Sequence, residues 1–340
     1  MIDGHGDDSY KFSKKIISNF SSNIFPHAEL AGLKAHLCEC MAAVSSYPEP
    51  EPYTLEKKLA EYHGIAPENV LVTNGATEAI YLIAQTFKKA TSVIKGPTFS
   101  EYEDACRLHG HKVAYLTSAT VSDVPLDAKL FWFCNPNNPT GVVIGEDYFK
   151  IGASIKGAPY MILDQSYEYF TLKKLLSAKD AVKFPRVIQI HSMTKRYGIP
   201  GLRLGYITAS APLIEKIRAC RMPWSVNQLA IEAGYYLLDK GLPEKVDIKT
   251  YLKEAKRFTK KLATLDINVL PSDTHFMLAG LRYGYPADLK KYLAEEHGVL
   301  IRDASNFKGL PENVFRVATQ TPEENDRLVK LIKEWLELVR

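Results

Sequence analysis

Between residues 69 and 209 one device recurs: a short, strongly apolar run, a polar or glycine-bearing turn, then a longer amphipathic stretch. The runs are NVLVT (69–73), TSVIK (91–95), KVAYL (112–116), KLFWFC (129–134), APYMIL (158–163), RVIQI (186–190) and RLGYIT (203–208). Each has strand length and is rich in β-branched or aromatic residues. Several are apolar at consecutive positions, which suits a strand covered on both faces. The stretches between them read as helices: in 76–88, Ile80, Ile83, Ala84 and Phe87 recur at i, i+3, i+4 and i+7, and 99–109 and 146–156 have helix length. Buried strands alternating with helices predict an α/β fold on a mostly parallel sheet.

After about residue 209 the pattern changes to long helical stretches (224–240 and 243–265), then apolar runs at 275–279, 298–302 and 313–318 between further helices. This predicts a smaller α+β domain. Residues 1–45 lack the alternation and are expected to pack against that domain or a partner subunit. The expected division is a large domain, 46–240, and a small one formed by 1–45 plus 241–340. With 340 residues, 46% of them apolar, the chain can bury two cores.

Composition narrows the function classes. The net charge of +4 arises from 43 basic against 39 acidic residues, with no basic run long enough for a nucleic-acid patch. No run approaches the roughly 18 apolar residues of a membrane span. The start, MIDGHGDDSYKF, has charges and glycines where an export signal needs an apolar stretch, so a cytoplasmic location is expected. The five cysteines are odd in number and form no CxxC pair, which argues against a disulfide framework and against a zinc site. On a helix Cys38 and Cys40 would point to different sides. Mostly buried free thiols and no metal are expected.

In an open α/β sheet ligands gather beyond the carboxyl ends of the strands. After NVLVT, the turn TNGATEAI can aim the backbone N–H groups of Gly75, Ala76 and Thr77 at an anion. After KLFWFC, the prolines of CNPNNPTG fix the amide of Asn138. Asp164 directly follows APYMIL and is followed three residues later by Tyr167; a buried carboxylate there needs a cation or donors. After RVIQI, Lys195 stands in a loop with Ser192 three residues before it and Arg203 eight after. A lysine so placed can form a Schiff base. Taken singly, each also fits a structural turn, a helix cap or a surface charge.

In this order and at these strand ends, SxxK followed by GLRLGY, with NPxxPTG and DxxY before it, resembles the fold-type I pyridoxal-phosphate enzymes of the class I/II aminotransferase family. The resemblance spans essentially the whole chain and implies pyridoxal 5'-phosphate (PLP) as cofactor. It implies that Asp164 pairs with the ring nitrogen, that Asn138 and Tyr167 donate to the phenolate oxygen, and that Tyr102 of PTFSEY stacks on the ring. Gly75, Ala76, Thr77, Ser192 and Arg203 would hold the phosphate, and Lys195 would bind the cofactor and carry protons. Arg316 in NVFRVAT matches the family's arginine for the substrate α-carboxylate. SSYPEPEPY resembles the segment that crosses a homodimer interface, where Tyr47 would reach the neighbouring subunit's cofactor phosphate.

Two subfamilies are resembled: the threonine-phosphate decarboxylases of cobalamin biosynthesis and the histidinol-phosphate aminotransferases. FSSNIFP (20–26), YPEPEPYTLEKKLAEYHG (47–64) and VLIRDASNFKGL (299–310) favour the first, although Phe25 replaces an asparagine usual there. By the same resemblance Arg302 helps grip a substrate phosphate, and Asn23 and His5 line the same pocket. The implied substrate is thus a small phosphorylated amino acid or amine. The open alternative is histidinol-phosphate-type transamination with 2-oxoglutarate. A nicotinamide dehydrogenase would need a GxGxxG after the first strand, which is absent. A non-catalytic regulator is disfavoured by the retained Lys195, Asp164 and Asn138.

Overall fold

The computed structural model describes residues 6–26, 28–117, 125, 127–240 and 247–339. Its strands are β1 (Ser18–Asn19), β2 (Val70–Thr73), β3 (Thr91–Lys95), β4 (Lys112–Leu116), β5 (Leu130–Cys134), β6 (Tyr160–Asp164), β7 (Val187–Ser192), β8 (Gly205–Ala209), β9 (Ile267–Val269), β10 (Phe276–Leu281), β11 (Val299–Leu300), β12 (Arg302–Asp303) and β13 (Val314–Ala318). All seven runs read between 69 and 209 are strands of one sheet, in the order β2-β8-β7-β6-β5-β3-β4. Every pairing from β7 to β4 is parallel, and only β8 runs against its neighbours.

The consecutive apolar positions have a simple origin. Ile94, Trp132, Ile162 and Ile188 enter one core cluster with Ile80, Ile83 and Ile214. The residues just before them, Val93, Phe131, Met161 and Val187, enter a different cluster with Phe149 and Leu176. With a period of two, side chains leave the sheet on alternate faces, so a strand sandwiched between helices must be apolar at both parities. Helices Gly75–Thr86 and Ala211–Arg218 serve the first face and Glu146–Ser154 the second.

The C-terminal part carries an antiparallel sheet of order β12-β13-β10-β9. Helices Ile248–Leu262, Pro286–His297 and Pro322–Val339 bury Phe258, Leu293, Ile332 and Trp335 against Met277, Phe315 and Val317. Residues 314, 316 and 318 alternate with that set, so Arg316 leaves β13 on the opposite face.

The N-terminal segment divides. β1 pairs in parallel with β11, and the Phe20 N–H donates to Leu300, which ties residues 18–20 to the C-terminal part. Leu33, in helix Ala31–Glu39, instead joins the cluster of Leu55, Leu59, Val72 and Ala230 beside the large sheet. The sequence offers no sign of this split, because helix Ala31–Glu39 has a weak apolar stripe with one buried residue.

Candidate active site

The strands that run in parallel end at one edge, and the loops leaving that edge enclose a cavity of about 490 Å³. Ala76, Thr77, Tyr102, Asn138, Asp164, Tyr167, Ser192, Lys195, Arg203, Arg302, Arg316 and Asn23 all line it. Gly75 lies directly behind the wall. Its φ is +78°, and a Cβ there would stand 2.6 Å from Nη2 of Arg203, so glycine alone lets the guanidinium close on the start of helix Gly75–Thr86. Gly205 is constrained similarly: a Cβ would meet the Ala76 nitrogen at 2.7 Å as β8 passes under that helix start. Arg203 holds a left-handed φ of +58° and donates from Nη1 to the Pro200 carbonyl at 3.0 Å. Free N–H groups of a helix start, a serine at the end of β7 and this arginine make a cup for a phosphate-sized anion.

Asp164 closes β6 next to Cys134 of β5, is buried, and accepts from the Ser166 N–H at 2.9 Å and the Tyr102 hydroxyl at 2.6 Å. Both donors fix the orientation of the carboxylate inside the cavity. Asn138 projects from the loop after β5, and its amide oxygen accepts from Nη1 of Arg316, which leaves its NH₂ end to donate elsewhere. Tyr167 accepts from Nδ2 of Asn23 at 3.5 Å, and burial pushes its phenol well above the usual range. Lys195 lies in the short helix Met193–Tyr197 just after β7. Removal from water, with Arg316 and Arg203 nearby, lowers its amine to about 8 although Asp164 acts in the other direction. A lysine near 8 holds a usable fraction of neutral amine at pH 7, the form that attacks carbonyls and accepts protons.

Arg302 and Arg316 are direct cross-strand partners on β12 and β13. Only 6% and 5% exposed, they approach the cavity from the side opposite the parallel strands. Arg302 donates to the Asp303 carbonyl at 2.5 Å and to Oδ1 of Asn306 at 2.8 Å. Arg316 donates to the Ser21 carbonyl at 2.6 Å and to Asn138, its Nε has no acceptor, and no carboxylate pairs with it among the described residues. Burial holds it down at about 10. A buried guanidinium met only by neutral oxygens is costly, and an entering carboxylate relieves that cost.

A family-level comparison agrees with this layout: the sequence model of aminotransferase class I and II matches residues 15–332. The chain belongs to that family. A crystal structure of L-threonine-O-3-phosphate decarboxylase from Porphyromonas gingivalis matches with a TM-score of 0.91 at 37% identity, covering 94% of this chain and 100% of that one. The threonine-phosphate decarboxylase of Salmonella typhimurium is 29% identical over 332 residues, 94% of this chain and 91% of its own. A histidinol-phosphate aminotransferase of Caldanaerobacter subterraneus is 31% identical over 311 residues, 86% of this chain and 85% of its own.

Within this class I and II aminotransferase cavity two neighbouring aromatic residues differ in how they meet the open space. Tyr102 lines the cavity but is 1% exposed, stacks on Trp132 at 5.7 Å and donates its hydroxyl to Asp164. Phe99, three residues earlier, is a half-buried aromatic of the wall, standing edge-on to Tyr102 at 5.9 Å. The only sequence signal is position: Phe99 is nearer the end of β3, whereas Tyr102 is already one residue inside helix Glu101–Leu108. Asn306 and Lys308 also line the cavity without having been singled out, because they follow a two-residue strand that periodicity does not reveal. Tyr47 lies away from the cavity of its own chain, 86% exposed and 5.4 Å from the Trp224 ring. His5 falls outside the described residues.

Proposed function

We propose that this enzyme uses PLP and acts on a small phosphorylated amino acid, as an L-threonine-O-3-phosphate decarboxylase. The reading rests above all on Arg316: a buried guanidinium whose partners among the described residues are neutral oxygens, set directly across the strand pair from Arg302, is costly until an anionic ligand enters. O-phosphothreonine has two anionic ends for two guanidiniums, whereas histidinol phosphate has one. The names of the relatives are consistent with both substrates, and the decarboxylases include the 37% identical structure.

The cavity fits PLP by its donor set. The cup at Gly75–Thr77, with Ser192 and Arg203, suits the phosphate. Asp164, which accepts from two donors, suits a protonated ring nitrogen, and the amide of Asn138 with the phenol of Tyr167 suits the phenolic oxygen. Phe99 is placed to lie against the ring. When bound, PLP supplies a sink for the electron pair released from a bond at the substrate α-carbon. Lys195 supplies an amine that attaches the cofactor and afterwards gives or takes a proton at its Nζ. Arg316 holds the substrate carboxylate by a two-pronged contact and Arg302 the phosphate, fixing which bond at the α-carbon is directed for cleavage.

Product analysis decides the reaction. Carbon dioxide from O-phosphothreonine is the expected result, and glutamate formation from histidinol phosphate and 2-oxoglutarate the result that would replace it. Arg302→Ala is expected to lower kcat/KM for O-phosphothreonine by roughly ten- to a hundredfold, the worth of a buried charge-assisted contact, and to spare threonine. Equal losses on both substrates would make Arg302 structural.

We also propose a homodimer. Tyr47 and Trp224 are exposed with their rings 5.4 Å apart, and Met41, Val44 and Met222, close to them in sequence, are exposed as well. In the dimer implied by the resemblance of SSYPEPEPY to an interface segment, the exposed Tyr47 would reach the neighbouring cofactor phosphate. Sedimentation is expected to give a dimer, and Tyr47→Phe to loosen PLP severalfold. A fully active monomer would end the proposal.

A further inference from the structure

Outside the cavity, three unlike metal-ligating side chains meet on the surface. His36 lies near the end of helix Ala31–Glu39, Cys40 directly follows that helix, and Glu232 comes from helix Gln228–Lys240. The Cys40 N–H still donates to the His36 carbonyl, so the helical i, i+4 relation persists and both side chains stand on one side. Nε2 of His36 is 3.6 Å from Sγ of Cys40 and 3.9 Å from Oε2 of Glu232, and Sγ is 3.9 Å from the same oxygen.

We propose that His36, Cys40 and Glu232 bind a zinc-class divalent cation, with water as the fourth ligand. The triangle is the first argument. A tetrahedral centre with metal–sulfur bonds of about 2.3 Å and metal–nitrogen or –oxygen bonds of about 2.0–2.2 Å requires ligand–ligand edges of roughly 3.3–3.6 Å. One edge already has that length, and the other two need to contract by a few tenths of an ångström. The donor types are the second: thiolate with imidazole and carboxylate selects zinc, cobalt or nickel and disfavours magnesium and calcium, which prefer all-oxygen sites.

Neighbouring contacts orient two of the ligands. The Tyr236 ring stacks on His36 at 5.1 Å, and Gln228 donates to Oε1 of Glu232 at 2.8 Å, leaving Oε2 towards the other ligands. On binding, the Cys40 thiol passes its proton to solvent and the thiolate takes the metal; nothing is oxidised or reduced. The cation would pin residues 31–45 to helix Gln228–Lys240, two pieces of chain held together otherwise by side-chain packing. The expectation of no metal came from the absence of a CxxC and the awkward spacing of Cys38 and Cys40. The operative spacing is His36-x₃-Cys40, and its third ligand is nearly two hundred residues away.

The test uses the full chain without an affinity tag, stripped with a chelator, kept reduced with a phosphine, and titrated with Co²⁺ alone. One equivalent is expected to give tetrahedral visible bands and a thiolate-to-cobalt charge-transfer band. Cys40→Ser should abolish the charge-transfer band, Cys38→Ser should keep it, and His36→Ala and Glu232→Gln should each weaken binding tenfold or more. Zinc should raise the melting temperature of the unaltered chain but not of Cys40→Ser. Should Cys40→Ser fail to fold, the Cys38→Ser and Glu232→Gln spectra still decide. No cobalt binding, a band that survives Cys40→Ser, or one that vanishes with Cys38→Ser would overturn the site. None of these readouts depends on the reaction catalysed.

Discussion

Lys195→Ala is expected to lose turnover by about 10⁴-fold or more, because in the proposed function one amine serves as both nucleophile and proton carrier and no other group replaces it. The fold should survive. Lys195 is half-buried on a five-residue helix, and its side chain forms no ion pair among the described residues. The phosphate cup, Asp164 and Phe99 remain, so the variant should still retain PLP without a covalent link. Borohydride reduction and peptide mapping of the unaltered enzyme should put the pyridoxyl group on Lys195. A label on any other lysine, or a variant within tenfold of normal activity, would refute the assignment.

The pH dependence has a definite sign. An amine lowered to about 8 is mostly protonated below that pH and mostly neutral above it. Covalent capture of PLP by the stripped protein should therefore rise about tenfold per unit from pH 6 towards 8 and then level off. Burial is the largest cause of the lowering and Arg316 the next. Arg316→Gln should thus shift the midpoint upward, whereas a midpoint that does not move would mean that the guanidinium exerts no field on the amine.

The parallel sheet was legible because its strands are apolar at both parities: Phe131 and Trp132 cannot both be buried unless both faces are covered. The strand ends then located Asn138, Asp164, Ser192 and Lys195, each within a few residues of an apolar run. Elements without periodicity were harder to read. β12 has two residues, so the pairing of Arg302 with Arg316 is a fact of register that the sequence does not express. Tyr102 and Phe99 are both aromatic and three residues apart; which one faces the ligand depends on where helix Glu101–Leu108 begins. Residues 31–45 lie beside the large sheet through the single buried side chain Leu33 in their helix, too small a signal to read in advance.

For Asp164→Asn the expected loss of turnover is about 10²- to 10³-fold, the scale observed when a preorganised electrostatic contact to developing charge is removed. The substitution keeps shape and volume, so the change is confined to charge. Asp164 accepts from the Ser166 N–H and the Tyr102 hydroxyl; an asparagine oxygen can keep the first, and the tyrosine hydroxyl can turn to accept from the new amide. Neither buried neighbour is stranded, and the melting temperature should move by only a few degrees. In the proposed PLP reading the ring nitrogen would then face a neutral amide, which cannot stabilise a proton there as a carboxylate does. Asp164→Ala provides the contrast. It removes both acceptors, leaves the buried Tyr102 hydroxyl and Ser166 N–H without their partner, and should cost stability as well as activity. If Asp164→Asn turned over at near-normal rate while Asp164→Ala was merely unstable, the carboxylate would be an anchor for Tyr102 and the loop after β6, with no part in the chemistry.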